Sequence, residues 1–284
     1  MDKTRKILVA LDLTEMDDHL IKYASFLAEN FNPEKVYFVH NIKKYEISDL
    51  FRDQLKELNL EQLISEELEE KVSKFFKADV PSKVLISEDP YTESLMNYIV
   101  QKYAINLVII GNKSKSNGTG VISDKLIRLL KCDILSIPEN ASSKLEHIWG
   151  GTDFSKETVR VFERAEFLRK KTNAKITAVH IYSVPVQFTP YLDKEEMVPK
   201  IEKHTREKFD KFLKRYHLGD LEKKIIRGRD ASVAERLALE GEKAGIDLLI
   251  VGDIGGNVFS SLLVGSVTDE LFDRSLKIPL WVAK

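Results

Sequence analysis

A single cysteine, Cys132, is the only thiol in this chain of 284 residues, so no disulfide can close within it. A lone thiol suits a reducing compartment, and we expect a cytoplasmic protein. Long apolar runs are missing as well. Met1-Asp2-Lys3-Thr4-Arg5-Lys6 leads into one short apolar run before Asp12, too brief for a signal-peptide core. No other run approaches the roughly 20 residues of a membrane span. An excess of charge of either sign is absent too: 44 Lys and Arg face 45 Asp and Glu. Local pairs such as Lys43-Lys44, Lys170-Lys171 and Lys223-Lys224 read as solvated faces, and neither a nucleic-acid nor a membrane partner is expected. What is present is an apolar share of 43%, enough for real cores. The length allows one large domain or two of ordinary size.

Two is the reading that internal similarity supports. KILVALDLT at 6–14 resembles HIWGGTDFS at 147–155, and INLVIIG at 105–111 resembles IDLLIVG at 246–252. Asp12 and Asp153 lie 141 positions apart, as do Gly111 and Gly252; His40 and His180, closing VYFVH and ITAVH, lie 140 apart. Landmarks this far apart keep one offset only if the chain is duplicated. Glu139 to Lys144 is short and polar and reads as a linker. The expected domains are therefore 1–139 and 145–284.

Each copy alternates strand and helix signals. In the second, short continuous apolar runs at 147–151, 175–181, 223–227, 247–251 and 279–283 suit strands buried on both faces. Between them, 156–171 has a helical period, with Ser155 as its expected N-cap and Thr14 as the counterpart in the first copy. Pro33 marks the stop of the first helix. Charged helices are expected over about 48–77 and 194–217. Five strand–helix alternations imply an α/β fold, a doubly wound parallel sheet in each copy. Ligands of such sheets bind beyond the carboxyl ends of the strands, where Asp12, Asp153, Gly111 and Gly252 are expected.

The sharpest chemical feature is Gly252-Asp253-Ile254-Gly255, then nine residues, then Gly265-Ser266-Val267-Thr268. Glycines let backbone N–H groups approach a ligand with no Cβ in the way. A helix start adds unpaired N–H donors, and the Ser266 hydroxyl adds another. The run lacks the Gly-Lys-Ser/Thr ending of a Walker A loop and is not GxGxxG. On spacing alone two readings stay open: an anion cradle, or a loop with packing glycines.

The order G-x2-G-x9-G-S after a fourth strand resembles the ATP-binding signature of the universal stress protein family. GSVTDELF followed by IPLWVAK resembles that family's last helix and strand, and TDFS and the VH closing strand two resemble its other landmarks. The resemblance covers nearly the whole chain, as a tandem. It implies a Rossmann-like strand order of 3-2-1-4-5 in each domain. It also implies two domains related by a pseudo-twofold with last strands paired, and association of two chains. For ATP it implies Gly252, Gly255, Gly265, Ser266 and Val267 around phosphates and ribose, Asp153 beside the nucleotide and the Ile181 backbone at the adenine. Magnesium held by Asp153 or Asp253 would accompany it. The function implied is that of a nucleotide-responsive stress or regulatory protein. Two alternatives are a slow ATP-hydrolysing enzyme, for which no catalytic base is evident, and a ligand-free interaction scaffold.

The first copy departs from this pattern. Gly111 is followed by Asn112-Lys113-Ser114, and the stretch from Gly111 to Lys131 is five residues shorter than that from Gly252 to Lys277. Its nucleotide loop is read as degenerate, with Gly118-Thr119-Gly120 a small anion nest at most. His40 and His180 are read as structural, and His19, His147, His204 and His217 lack ligand spacing, so no structural zinc site is expected. Cys132 is read as a small buried apolar residue.

Overall fold

A computed structural model describes residues 6–43, 59–112, 120–184, 194–219, 221–228, 231–255 and 264–284. The chain divides into two compact units, Met1–Lys144 and Leu145–Lys284. The first runs β1 (Lys6–Leu11), α1 (Met16–Phe31), β2 (Lys35–Asn41), α2 (Leu60–Phe75), β3 (Ser82–Ser87), α3 (Thr92–Tyr103), β4 (Leu107–Asn112), α4 (Gly120–Leu129) and β5 (Asp133–Pro138). The second runs β6 (His147–Gly151), α5 (Val159–Thr172), β7 (Lys175–Tyr182), α6 (Lys194–Arg215) and β8 (Glu222–Arg227). It continues through α7 (Val233–Ala244), β9 (Leu248–Gly252), α8 (Ser266–Phe272) and β10 (Leu280–Ala283). Among the described residues no helix is long and apolar enough to cross a membrane.

Within each unit the strands are parallel, in the order third, second, first, fourth, fifth. In the second unit β6 pairs with β7 and β9, β7 with β8, and β9 with β10. This is the α/β fold expected from the alternation of runs. The central strands are largely apolar because helices cover both faces, as β9 illustrates with Leu248 to Val251 all buried. By contrast β3 (SKVLIS) and β8 (EKKIIR), each next to one neighbour only within its unit, begin with exposed polar and lysine positions. Such residues discourage a flat open strand from pairing with another chain.

The duplication extends to the backbone. Leu13 and Phe154 both hold positive φ, as do Asn32 and Asn173. Ala104 and Gly245 match in the same way. Each pair lies 141 positions apart. The asparagines cap α1 and α5 in the left-handed conformation, and Pro33 follows the first of them.

Helix starts differ from the expectation. Helix α5 begins at Val159, with Thr158 in the cap position, and Ser155 is not its N-cap. The Thr158 hydroxyl is within 3.0 Å of the Thr152 hydroxyl, and Thr152 Oγ1 accepts the Phe154 N–H at 2.9 Å. These bonds fold 152–158 into its own turn, so the helix starts later. Likewise Glu15, not Thr14, stands at the cap of α1. Residues 48–58 of the first charged helix lie outside the described residues; the remainder is α2, whose Asn59 side chain accepts the Gln62 N–H.

Candidate functional site

At the carboxyl ends of β6 and β9, neighbouring central strands, the two sharpest sequence features of the second unit come together. Asp153 follows β6 on an exposed turn, and its Oδ1 accepts the Ser155 N–H at 2.9 Å. Its Oδ2 reaches Gly255: a Cβ on that glycine would lie 2.7 Å from it. A side chain there would have to push the Asp153 carboxylate aside, so the glycine lets the aspartate approach the backbone of the run.

The two described ends of the glycine run are also joined. Gly265 donates its N–H to the Asp253 carbonyl at 2.7 Å, and Asp253 donates its own to the Ala283 carbonyl at 3.1 Å. Thr268, buried in α8, donates from Oγ1 to the Gly252 carbonyl at 2.6 Å. Gly265 itself has an ordinary φ of −63°, and a Cβ there would meet nothing nearer than 3.5 Å. Among the described residues, neither strain nor crowding explains a glycine at 265. Ser266 is exposed at the start of α8 and Val267 is half-buried beside it. Gly256, within the nine-residue spacer, lies outside the described residues.

Ile181 lies on β7, beyond the last residue of β6 that pairs with that strand. The Val179 carbonyl accepts from Thr152 and the Tyr182 carbonyl accepts from Gly228 on the opposite side. Since backbone groups alternate sides along a strand, Ile181 turns its N–H and C=O toward the space that β6 has left. His180 is tied down next to it. Its Nδ1–H donates to the Thr152 carbonyl at 2.7 Å, and its ring stacks on Phe154 at 4.2 Å between centroids. Burial holds its pKa below the usual histidine value. His40 makes the same bond to Leu11 in the first unit, at 3.0 Å, and burial lowers its pKa also. Both histidines thus fasten the end of the second strand to that of the first.

One contact had no signal in the sequence. Arg160 of α5 donates from Nη1 to Asp253 Oδ1 at 3.0 Å. Spacing rules read neighbours along a helix or strand, and these residues are 93 positions apart. The pairing occupies one oxygen of Asp253, an acid that the sequence offered as a magnesium ligand.

In the first unit Asp12 keeps its place after β1, and Thr14 Oγ1 donates to its Oδ1 at 2.6 Å. A second carboxylate joins it. Asp17 is fully buried, and its two oxygens accept the N–H groups of Asp12 and Leu13, each at 2.9 Å. Burial is the main reason its pKa is raised from 3.8 to about 6; the two backbone donors oppose the rise and the charge of Asp12 adds to it. A Cβ on Gly111 would come within 3.0 Å of Met16 Cγ, so that strand end is closed by an apolar side chain. Helix α4 begins nine positions after Gly111, whereas α8 begins fourteen after Gly252. Lys113, Ser114, Gly118 and Thr119 lie outside the described residues.

The family model described as the universal stress protein family matches the chain twice, over residues 3–138 and 144–284. A functionally unknown protein from Pseudomonas aeruginosa PAO1 shares the fold, with a TM-score of 0.69 and 14% identity. The match covers 100% of this chain and 93% of that one. A universal stress protein from Archaeoglobus fulgidus DSM 4304 superposes with a TM-score of 0.66 at 18% identity, covering 100% of this chain and 97% of its own. No curated protein matches the sequence.

Proposed function

The chain belongs to the universal stress protein family as a tandem of two such domains, and from that premise we propose that its second domain binds ATP and its first does not. The observation that carries this reading is the meeting of Asp153 with Gly255, 2.7 Å from where a Cβ would stand. It joins the aspartate after strand one to the glycine run after strand four, the switch point of the strand order. Gly265 is consistent with it: its φ is ordinary, and among the described residues a Cβ there would meet nothing nearer than 3.5 Å, which leaves that side of its backbone open to a ligand.

In this reading Gly252, Gly255, Gly265, Ser266 and Val267 hold the phosphates and ribose through backbone N–H groups and the Ser266 hydroxyl. Asp153 lies beside the nucleotide, and the Ile181 backbone takes the adenine edge. The first domain differs: where the second pairs Asp253 with Arg160, it buries Asp17 beside Asp12. Asp12 and Asp17 converge on one turn there, and a second carboxylate opposes a polyphosphate. We assign the protein a regulatory role in which ATP occupancy of one domain changes its associations.

Isothermal titration of the full chain tests the reading. One ATP per chain is expected, and ATP at 100 times Kd should stabilise the second domain by about 2.7 kcal/mol. Two equivalent sites, or none, would overturn it.

A further inference from the structure

We infer that Arg160 is a positioning residue of the second domain's nucleotide site, acting by neutralising and holding Asp253 beside the phosphates; the inference rests on the ATP reading above. Asp253 occupies an unusual place for a carboxylate. It stands between Gly252 and Gly255, in the turn assigned to the most highly charged part of the ligand. Its backbone is committed at both ends, N–H to Ala283 and carbonyl to Gly265. Its Cα is therefore held in the turn, and the carboxylate stays within reach of the site. An anionic group fixed there repels phosphate unless something cancels it.

Arg160 supplies the cancelling charge from the first turn of α5, at 3.0 Å. Both side chains are partly shielded, 31% exposed for Arg160 and 19% for Asp253, so solvent screens the pair only in part. The duplicate position gives an internal control. In the first domain the residue after the strand-four glycine is Asn112 and the one matching Arg160 is His19. His19 is hydrogen-bonded to the Pro138 backbone, and burial lowers its pKa. Where the turn carries no charge, the helix carries no arginine. The ion pair came, or stayed, with the glycine run.

An ion pair that served stability alone would affect every ligand alike, or none. A charge-cancelling pair acts on phosphates. The test titrates the full chain and three variants, Arg160→Ala, Asp253→Asn and both together, with ATP and with adenosine. Arg160→Ala should weaken ATP about tenfold and adenosine less than twofold. Adding Asp253→Asn should bring ATP affinity back to within about threefold of the unaltered chain, since the uncompensated charge is then gone. The inference fails if Arg160→Ala leaves ATP affinity unchanged, weakens adenosine as much as ATP, or is not rescued by Asp253→Asn. An unaltered chain that does not bind ATP overturns the nucleotide reading itself, a separate result.

Discussion

After their first strands both domains force a bulky side chain into the left-handed region, Leu13 at φ 62° and Phe154 at φ 67°, yet they hold the turn with different groups. In the first domain a buried carboxylate, Asp17, accepts two backbone N–H groups. In the second the corresponding residue is Thr158, and neutral hydroxyls of Thr152 and Thr158 replace it. The backbone of the duplicated domain has been kept and the charge within it redistributed. One carboxylate was buried where no phosphate is expected. In the other copy the acid in the glycine run is paired with an arginine. A turn with a large side chain at positive φ costs about 1–2 kcal/mol, and both solutions offset it.

The largest expected effect that would break this contrast concerns Gly265. Gly265→Val places a branched side chain at the assigned phosphate position and should weaken ATP binding at least a hundredfold, roughly 3 kcal/mol. Gly265→Ala should leave the melting temperature without nucleotide nearly unchanged, because the φ is ordinary and the nearest atom to a Cβ is 3.5 Å away. Gly255→Ala should differ, since its Cβ collides with Asp153 Oδ2 and must displace that side chain. Thermal shifts with and without ATP separate the two glycines. A Gly265→Val chain with an undiminished ATP shift would remove the second domain's claim to the nucleotide.

The next effect sharpens the contrast through pH. The pKa of Asp17 in the folded chain, about 6, exceeds its ordinary value of 3.8. Between those values the folded state binds the proton more tightly than the unfolded one. Its contribution to stability is therefore full below about pH 4 and is lost as pH rises through about 6. Two pKa units correspond to on the order of 3 kcal/mol. Asp17→Asn cannot titrate, so its stability relative to the unaltered chain should improve by an amount of that order between pH 4 and pH 7. Denaturant unfolding at several pH values measures the difference. Thr158→Val, at the matching position, should show no such slope; a constant gap between Asp17→Asn and the unaltered chain would deny the buried carboxylate this role.

Most strands of the second domain were legible because they are largely apolar runs: 175–181 was expected and Lys175–Tyr182 is found. The glycine run stood out as a candidate because its residues are local in sequence. Ser155 misled because a serine before a helical period resembles an N-cap. Here the Thr152–Thr158 pair takes the turn first, and among the described residues the buried Ser155 hydroxyl has no partner. Asp17 gave no signal at all, since an acid in the first turn of a helix is ordinarily exposed and favourable to the dipole. Arg160 and Asp253 meet only after β6 and β9 become neighbours. Charge compensation of that kind is a property of the fold, invisible to spacing.

The smallest effect tests whether the duplicated backbone carries a cost that the side chains conceal. Helices α3 and α7 both end on a residue in the left-handed conformation, Ala104 at φ 53° and Gly245 at φ 63°. Each cap N–H bonds back into its helix, and the following residues, Ile105 and Ile246, donate to Val100 and Gly241 in matching fashion. Glycine adopts this conformation freely, whereas alanine pays about 1–2 kcal/mol for its Cβ. Against that, glycine gains about 0.4–1 kcal/mol of freedom in the unfolded chain. Ala104 is exposed, so its methyl contributes little packing. At Gly245 a Cβ would meet nothing within 4 Å, so no clash enters there either. Ala104→Gly should thus stabilise the first domain by about 0.5–1 kcal/mol, and Gly245→Ala should destabilise the second by a similar amount. Equal and opposite shifts in denaturant midpoint, with unchanged slopes, would isolate the backbone term. Shifts of the same sign in both variants would mean that the two caps, alike in φ and in hydrogen bonding, are held by different forces.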